Sequence, residues 1–429
     1  MGVAGSPDAV TCVGPGFCVA VGGAEIPANG DPLATPEEAG LIIVTKDGGR
    51  TWRQAIGATS LSGVACSSAA TCYAVGNGGT IMATIDAGTA WTRQDAYSTT
   101  SGASLNLVTV SCPSVTSCYA VGEQGVVVAM TAQGGWQTQP NPLDGTPIAL
   151  VGLSCPGTLT CYAVGTPPSL PNGPGAILVT TDGGLHWRTQ AYPQDQSPHP
   201  TFAALTELIA VACPNTAVCY AVGNGGVIVT TGDGGQTWHR QSSGTAARLT
   251  GITCPTLRAC YVVGEVSDAR QAGTVIATAD GGHTWHQVFH TDTALSGIAC
   301  PSVARCYAVG DQATIVVSPD AGKTWRRLHT PLNGDAAPQL ARIACPSAAI
   351  CYAVGGWNNA LGGEASGAGT ILATRDDGHS WSQVASPGQL IAGVVCPGVR
   401  DCYAVGFGGT ILASADGGAT WQHRHARSA

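Results

Sequence analysis

The sequence predicts an all-β fold, because one four-strand unit repeats along the whole chain. Leu295–Thr330, LSGIACPSVARCYAVGDQATIVVSPDAGKTWRRLHT, is the most compact copy. It holds four short apolar, β-branched runs separated by Gly, Pro and Asp. The first cysteines of successive copies lie 41 residues apart at the least (Cys213 to Cys254) and 58 residues apart at the most (Cys155 to Cys213). Four strands repeating every 40 to 50 residues or so are typical of a β-propeller blade, so we predict a single nine-bladed β-propeller.

The predicted blades are four-stranded and antiparallel, and one domain covers residues 1–429. Their approximate bounds are 3–57, 58–101, 102–144, 145–193, 200–243, 244–291, 292–331, 332–386 and 387–427. Blade 1 is the least regular, because FCVAVGG replaces CYAVG and a long insertion follows. Blade 3 has Gln133 where other copies have Asp. Because each copy contains a whole blade, we expect blade 1 to meet blade 9 through side-chain packing alone.

The cysteines predict nine disulfides and an oxidising compartment. All 18 fall into nine pairs with the spacing C-x5-C, and antiparallel strands joined by a short loop bring such positions together. Metal binding is the alternative, but each pair offers two thiols and no His within its loop. The predicted pairs are Cys12–Cys18, Cys66–Cys72, Cys112–Cys118, Cys155–Cys161, Cys213–Cys219, Cys254–Cys260, Cys300–Cys306, Cys345–Cys351 and Cys396–Cys402.

Eight copies contain an aspartate turn, such as TADGGHTW or SPDAGKTW, between the third and fourth strands, and blade 3 has the degenerate turn TAQGGW. The carboxylate of an aspartate turn is expected to accept backbone N–H groups, and its glycines to adopt positive φ. The turn residues are Asp47, Trp52, Asp86, Trp91, Trp136, Asp182, Trp187, Asp233, Trp238, Asp280, Trp285, Asp320, Trp325, Asp376 or its neighbour Asp377, Trp381, Asp416 and Trp421.

These turns resemble the Asp-box, or BNR, repeat S/T-x-D-x-G-x-T-W of β-propellers, with eight well-formed copies and one degenerate one. Asp boxes occur in sialidases, xyloglucan hydrolases, sortilin-type receptors and the photosystem II stability and assembly factor family. Blades in which GGTILAT runs into an aspartate turn are most similar to the last of these, within the WD40/YVTN/BNR-like repeat proteins. That resemblance implies a non-enzymatic scaffold that binds proteins.

Insertions between the second and third strands, or between blades, are expected at one face of the propeller. They are Ala24–Gly40, Thr166–Gly175, Ala191–Thr206 and Gly356–Gly369. Function concentrates in loops on a rigid scaffold, so a protein or glycan ligand is expected there. Trp357, the one Trp outside the turns, is the candidate contact, although it could equally plug its own loop.

Enzyme alternatives depend on the acids, arginines and tyrosines. A sialidase needs an arginine cluster and a Tyr nucleophile, and Arg248, Arg342 and Glu207 lie near first strands. Other glycosidases need two facing carboxylates. The loop acids available are Glu25, Asp31, Glu37, Glu38, Asp195, Glu265, Asp268 and Glu364. We expect ordinary solvated loop residues here, and no catalytic, metal or cofactor site; the rival is a secreted carbohydrate-active enzyme or lectin-like module.

The composition limits the classes of partner and the cellular location that we expect. The net charge is −8 with only 18 Lys and Arg together, so a nucleic-acid partner is not expected. No apolar run reaches the ~20 residues of a membrane span. We expect an extracellular or cell-envelope monomer, with no signal peptide in residues 1–10. The Arg- and Ala-rich composition suggests a bacterial source.

Overall fold

The computed structural model describes residues 5–26, 37–57, 59–94, 106–131, 134–140, 143, 148–166, 175–190, 207–266, 272–332, 337–357, 368–424 and 426–428. These residues form nine sheets, each containing four antiparallel strands that are consecutive in sequence; one sheet also has a fifth strand. The predicted fold class, a nine-bladed β-propeller, is confirmed.

The strands follow one another in chain order, four to each blade. Blades 1 to 3 contain β1 Gly5–Val13, β2 Phe17–Ile26, β3 Glu37–Thr45, β4 Trp52–Gly57; β5 Leu61–Cys66, β6 Cys72–Gly76, β7 Ile81–Thr84, β8 Thr92–Arg93; and β9 Leu107–Ser114, β10 Ser117–Gly122, β11 Val127–Met130, β12 Trp136–Thr138. Blades 4 to 6 contain β13 Ala149–Ser154, β14 Cys161–Thr166, β15 Ala176–Thr180, β16 Arg188–Gln190; β17 Leu208–Ala212, β18 Cys219–Gly223, β19 Ile228–Thr231, β20 His239–Gln241; and β21 Arg248–Thr253, β22 Cys260–Glu265, β23 Gly273–Thr278, β24 His286–Thr291. Blades 7 to 9 contain β25 Leu295–Ser302, β26 Arg305–Gly310, β27 Ile315–Ser318, β28 Arg326–Arg327; β29 Gln339–Ala344, β30 Cys351–Gly356, β31 Gly369–Thr374, β32 Ser382–Ala385; and β33 Ile391–Val395, β34 Cys402–Gly406, β35 Thr410–Ser414, β36 Gln422–His423, followed by β37 Ala426–Ser428. Single 3-10 turns at Asn77–Gly79, Glu123–Gly125, Asn224–Gly226 and Phe407–Gly409 join second to third strands.

The second strand forms the centre of each blade. In β6, Cys72–Gly76, every residue is buried, because both faces of the strand are covered by neighbouring blades. The first strand is less regular: Leu61 faces Gly76 and Gly63 faces Val75, which leaves Ser62 as a β-bulge. A Cβ at Gly63 would lie 3.1 Å from the Cα of Thr109, so glycine allows close approach of the next blade.

The chain divides into two compact units, Met1–Val110 with Leu328–Ala429, and Ser111–Arg327. Within each unit, apolar clusters lie between successive blades; one joins Tyr162 and Val179 of blade 4 to Leu208 and Trp238 of blade 5. First strands of successive blades also contact each other, as β13, β17, β21 and β25 do. The core is therefore a series of layers between blades, with the first strands at their inner edge.

The prediction for the chain ends was wrong. Residues 426–428 form β37, which pairs in parallel with β4 and makes blade 1 a five-stranded sheet. The paired positions are Ala426 with Trp52, Arg427 with Arg53 and Ser428 with Gln54. Side-chain packing between blades 9 and 1 is also present, through Tyr403 and Trp52. The tail's lack of a hydrophobic pattern hid this strand, which backbone hydrogen bonding alone can hold on an open sheet edge.

Candidate binding surface

Each blade has two chemically different ends. At one, which we call the disulfide end, the loop between the first two strands bonds to the aspartate turn; the Gly183 N–H donates to the Leu159 carbonyl at 3.0 Å. At the other, the loop end, the second-to-third-strand turn bonds to the connection from the preceding blade. There the N–H of Asn77 donates to the Ser60 carbonyl at 2.9 Å, and that of Asn224 to the Glu207 carbonyl at 3.0 Å.

The disulfide end contains nine disulfides, one in each blade. All join residues six apart, with Cα atoms 4.0–4.1 Å from each other, and no cysteine is free. Each pair is the one predicted from the C-x5-C spacing. Because each bridge closes only a short loop, the loop is held in a single shape by a local covalent link.

In most aspartate turns, both carboxylate oxygens accept hydrogen bonds from the turn itself; in blade 2 the bonds of Asp86 go to Oδ1. In blade 6, Asp280 Oδ1 accepts the Thr278 hydroxyl at 2.8 Å and the Thr284 N–H at 3.0 Å. Oδ2 accepts the Thr284 hydroxyl at 2.6 Å, and the Thr278 Oγ1 accepts the N–H of Gly282 at 2.9 Å. In blade 8, Asp376 occupies this position, whereas its neighbour Asp377 has a φ of 59° and lies next to it in the turn.

These bonds keep the turn aspartates ionised. The Thr237 hydroxyl and backbone N–H lower the pKa of Asp233 to about 2, and the Thr420 groups do the same for Asp416. A general acid for glycoside hydrolysis needs the opposite, a raised pKa. The turn carboxylates are therefore unsuited to acid catalysis.

Blades are joined at the disulfide end by a recurrent contact. The buried Tyr of one blade meets the turn Trp of the next edge-to-face, as in Tyr220 with Trp285, at a ring-centroid distance of 5.8 Å. The same arrangement joins Trp52 and Tyr403, Tyr119 and Trp187, Tyr162 and Trp238, Tyr261 and Trp325, and Tyr352 and Trp421. A Cβ on the second turn glycine, Gly282, would lie 2.5 Å from the Tyr220 ring. The eight tyrosines of the CYAVG-type strands are buried core residues, so none of them is exposed as a sialidase nucleophile would be.

Three described acids at the loop end have polar partners. Glu207 accepts the Asn224 side-chain amide. Glu265 lies 3.4 Å from the Arg248 guanidinium, and Asp292 lies 2.8 Å from that of Arg327. Arg342 is exposed on β29 and donates to the Ala341 carbonyl at 3.2 Å. Arg248 and Glu207, predicted near the first strands, are thus held by local partners.

Trp357 directly follows β30 and is half-buried. Its backbone N–H donates to the Ala368 carbonyl at 3.2 Å. The bond fixes the base of the predicted ligand loop. The side chains of Glu25 and Glu37 and the positions of Asp31, Asp195, Asp268 and Glu364 lie outside the described residues, as do most of the insertions. Glu38 is exposed on β3.

A groove of about 370 Å³ lies at the disulfide end between blades 5 and 6, lined in part by Asp233, Thr237, His239 and His283. The carboxylate of Asp233 is already occupied by its own turn. Across the described ranges, no group of three His, Cys, Asp or Glu side chains is suited to a metal ion. The groove therefore offers two imidazoles and no complete ligand set.

No family model matches the chain, and no curated protein matches it. Solved structures do. The computationally designed Ika8 protein is 12% identical over 83% of this chain and 96% of its own, with a TM-score of 0.53. YCF48 bound to D1 peptide is 16% identical over 83% and 91%, with a TM-score of 0.48. An ancestral GH74 enzyme is 14% identical over 84% of this chain and 54% of its own, with a TM-score of 0.46. At these identities the similarities concern the fold alone.

The sequence reasoning missed one feature of the disulfide end. Several of its loops present exposed apolar side chains, among them Leu159 and Leu257. An apolar residue within C-x5-C is a visible signal, but the variable insertions direct the predicted ligand site to the opposite end of the blades.

Proposed function

We propose that this protein is a non-enzymatic binding propeller that holds a protein or glycan partner at its loop end. The observation that carries the proposal is the difference in chemistry between the two ends. Turn carboxylates such as Asp233 are saturated by their own turns, and Glu207, Glu265 and Asp292 have polar partners. Among the described residues, the loop end offers a rigid base for variable connections.

That base is suited to recognition because its turns are tied to the neighbouring connections by backbone hydrogen bonds. Phe407 donates to the Leu390 carbonyl at 3.0 Å, and Gly369 to the Pro387 carbonyl at 2.7 Å. A scaffold that does not move on binding loses little conformational entropy, so loops placed on it can bind with modest contact area. Trp357, at the base of the longest insertion of blade 8, supplies an aromatic side chain.

We further propose that the protein works outside the cytoplasm. Nine disulfides with no free cysteine are favoured by an oxidising environment. Within the described part of the chain, no helix has the length and apolarity needed to cross a membrane. The aspartate turns are assigned the structural role of Asp boxes, which is supported by the bonds of Asp280 and its equivalents.

The proposal is tested by comparing wild-type protein with Trp357→Ala on a glycan array and in partner capture from the source organism. Arg400→Ala, an exposed change in a disulfide loop of the same compact unit, is the matched control. We expect Trp357→Ala to weaken the interaction about tenfold or more and Arg400→Ala to leave it unchanged. Turnover of any glycan in a parallel hydrolysis screen would overturn the non-enzymatic assignment.

A further inference from the structure

Among the described residues, several exposed large hydrophobic side chains lie at the disulfide end. Of the eight among the described residues, seven lie there, and the eighth, Val151, is on β13. The seven are Ile85 and Leu185 in aspartate turns, and Val115, Leu159, Leu257, Val303 and Val399 in disulfide loops. Single exposed apolar residues are ordinary on a protein surface, but here a Val or Leu recurs in the disulfide loop of several blades.

Five of them belong to the compact unit Ser111–Arg327 and form what we call the apolar rim: Val115, Leu159, Leu185, Leu257 and Val303. Their side chains are between 51% and 70% exposed. Blades 3, 4, 6 and 7 each contribute one rim residue from their disulfide loop, and blade 4 contributes a second from its aspartate turn.

The rim is rigid, because its loops are anchored within and between blades. Disulfide Cys155–Cys161 closes the loop that carries Leu159. The Tyr119 hydroxyl of blade 3 donates to the Thr158 carbonyl in that loop at 3.0 Å. The Leu159 carbonyl in turn accepts the Gly183 N–H of the aspartate turn. Placing these apolar side chains in a partner therefore requires little ordering of the backbone.

The charges near the rim indicate what it meets. The disulfide loops of blades 3 to 7 contain no carboxylate, and their charged residues are Arg258, exposed beside Leu257, and Arg305. The acids at this end are the turn aspartates Asp182, Asp233, Asp280 and Asp320, opposed by these two arginines and Lys323. Hydrogen bonds from their turns lower the pKa of these aspartates, so they stay negative at neutral pH. Because the negative and positive charges near the rim are almost equal in number, a strongly anionic or cationic partner is disfavoured.

We propose that the apolar rim docks the protein on a zwitterionic phospholipid surface. A protein partner needs a contiguous patch, whereas the rim presents separate side chains, about one per blade, with polar residues between them. A bilayer interface is laterally continuous and accepts separate apolar side chains, each gaining from the area removed from water. Arg258 is placed to meet a lipid phosphate while Leu257 enters the apolar boundary. The loop end would then remain free for its own ligand.

The test is co-sedimentation of the full chain with phosphatidylcholine vesicles. We expect wild-type protein to bind, and the triple variant Leu159→Ser, Leu257→Ser, Val303→Ser to bind about tenfold or more weakly, because three apolar side chains leave the interface. The matched control is Val151→Ser, an exposed apolar residue outside the rim, which should stay within about twofold of wild type. Intact disulfides by mass and unchanged near-ultraviolet circular dichroism establish that each variant is folded.

Two outcomes would overturn the proposal. One is that wild-type protein does not bind the vesicles, even if it captures soluble proteins. The other is that Val151→Ser loses as much vesicle binding as the triple variant. Binding that appears only when anionic phosphatidylglycerol is added would overturn the zwitterionic assignment. Arg258→Glu should weaken binding roughly three- to fivefold, and no change would remove its role at the phosphate. These readouts are independent of the loop-end ligand, so failure here and failure of the proposed function are distinguishable.

Discussion

The two junctions of blade 1 differ in the side chains that pack against the turn Trp and its glycine. Towards blade 9, Tyr403 packs edge-to-face on Trp52 at 5.6 Å, and its hydroxyl donates to the Pro15 carbonyl at 3.1 Å. Towards blade 2, the equivalent of the tyrosine is Val19, which lies in one apolar cluster with Val44 and the partly buried Trp91.

The turn glycine keeps its place at both junctions, although its neighbour changes. A Cβ on Gly49 would lie 2.3 Å from the Tyr403 ring, and one on Gly88 would lie 2.9 Å from the Val44 side chain. Trp91, at the junction with blade 2, is half-buried. Trp421, between blades 8 and 9, is half-buried as well, although it contacts a tyrosine ring. The ring contact, rather than the burial of the Trp, therefore distinguishes the two junctions of blade 1. The glycine is thus the constant part of the junction, and the side chain that fills the space beside it can vary.

The largest expected difference comes from removing the side chain at the tyrosine position of each junction. Tyr403→Ala should lower the free energy of unfolding by about 4 kcal/mol, because a fully buried ring and its hydroxyl bond are lost. Val19→Ala should lower it by about 2 kcal/mol, since only two methyl groups leave. Chemical denaturation of both variants measures the difference; equal values would mean that the two junctions are equivalent.

Filling the glycine position should be the next largest effect. Gly49→Ala should cost about 3 kcal/mol, because a Cβ overlaps the Tyr403 ring and φ is +74°. Gly78→Ala is the control: its φ is +64° but nothing lies within 4 Å, so about 1 kcal/mol is expected. Thermal unfolding distinguishes them, and a similar loss at both sites would show that only φ matters.

Removing a disulfide should also destabilise the protein to a different extent at the two junctions. The Cys12–Cys18 loop holds Pro15, which accepts the Tyr403 hydroxyl, so replacing both cysteines by Ala should cost about 3 kcal/mol, made of the bridge and that bond. The Cys66–Cys72 loop of blade 2 faces Val19, which has no hydroxyl, and about 2 kcal/mol is expected there. Denaturant midpoints of the two paired variants test the ordering, and the reverse order would contradict it.

The smallest effect concerns the turn carboxylate that regular blades share. The Thr420 hydroxyl and N–H lower the pKa of Asp416 to about 2, below the unfolded value of about 3.9. Its stabilisation is therefore complete above about pH 4 and is lost as the pH falls through about 2. Asp416→Asn should cost about 1 kcal/mol at pH 7 and almost nothing at pH 2. A difference that does not shrink in acid would show that charge is not the cause.

The sequence was most informative where one local rule decides the structure. The C-x5-C spacing predicted pairs such as Cys300–Cys306, and repeated apolar runs predicted a blade at residues 292–331, whose strands lie between Leu295 and Arg327. Both patterns depend on neighbours in the chain. The Tyr–Trp contact joins different copies, so no single copy reveals it. The tail strand Ala426–Ser428 was missed because backbone pairing leaves little trace in side-chain pattern. Of the candidate site, the described residues cover only the ends of the insertions, such as the base of the Trp357 loop.

A double-mutant cycle tests most directly whether the tyrosine–tryptophan contact defines the regular junction. The cycle replaces Tyr403 and Trp52 by Ala singly and together, and a second cycle does the same for Val19 and Trp91. We predict a coupling energy of about 1 kcal/mol for the first pair, beyond area burial, and less than about 0.5 kcal/mol for the second. Equal coupling in the two cycles, or none between Tyr403 and Trp52, would contradict the account.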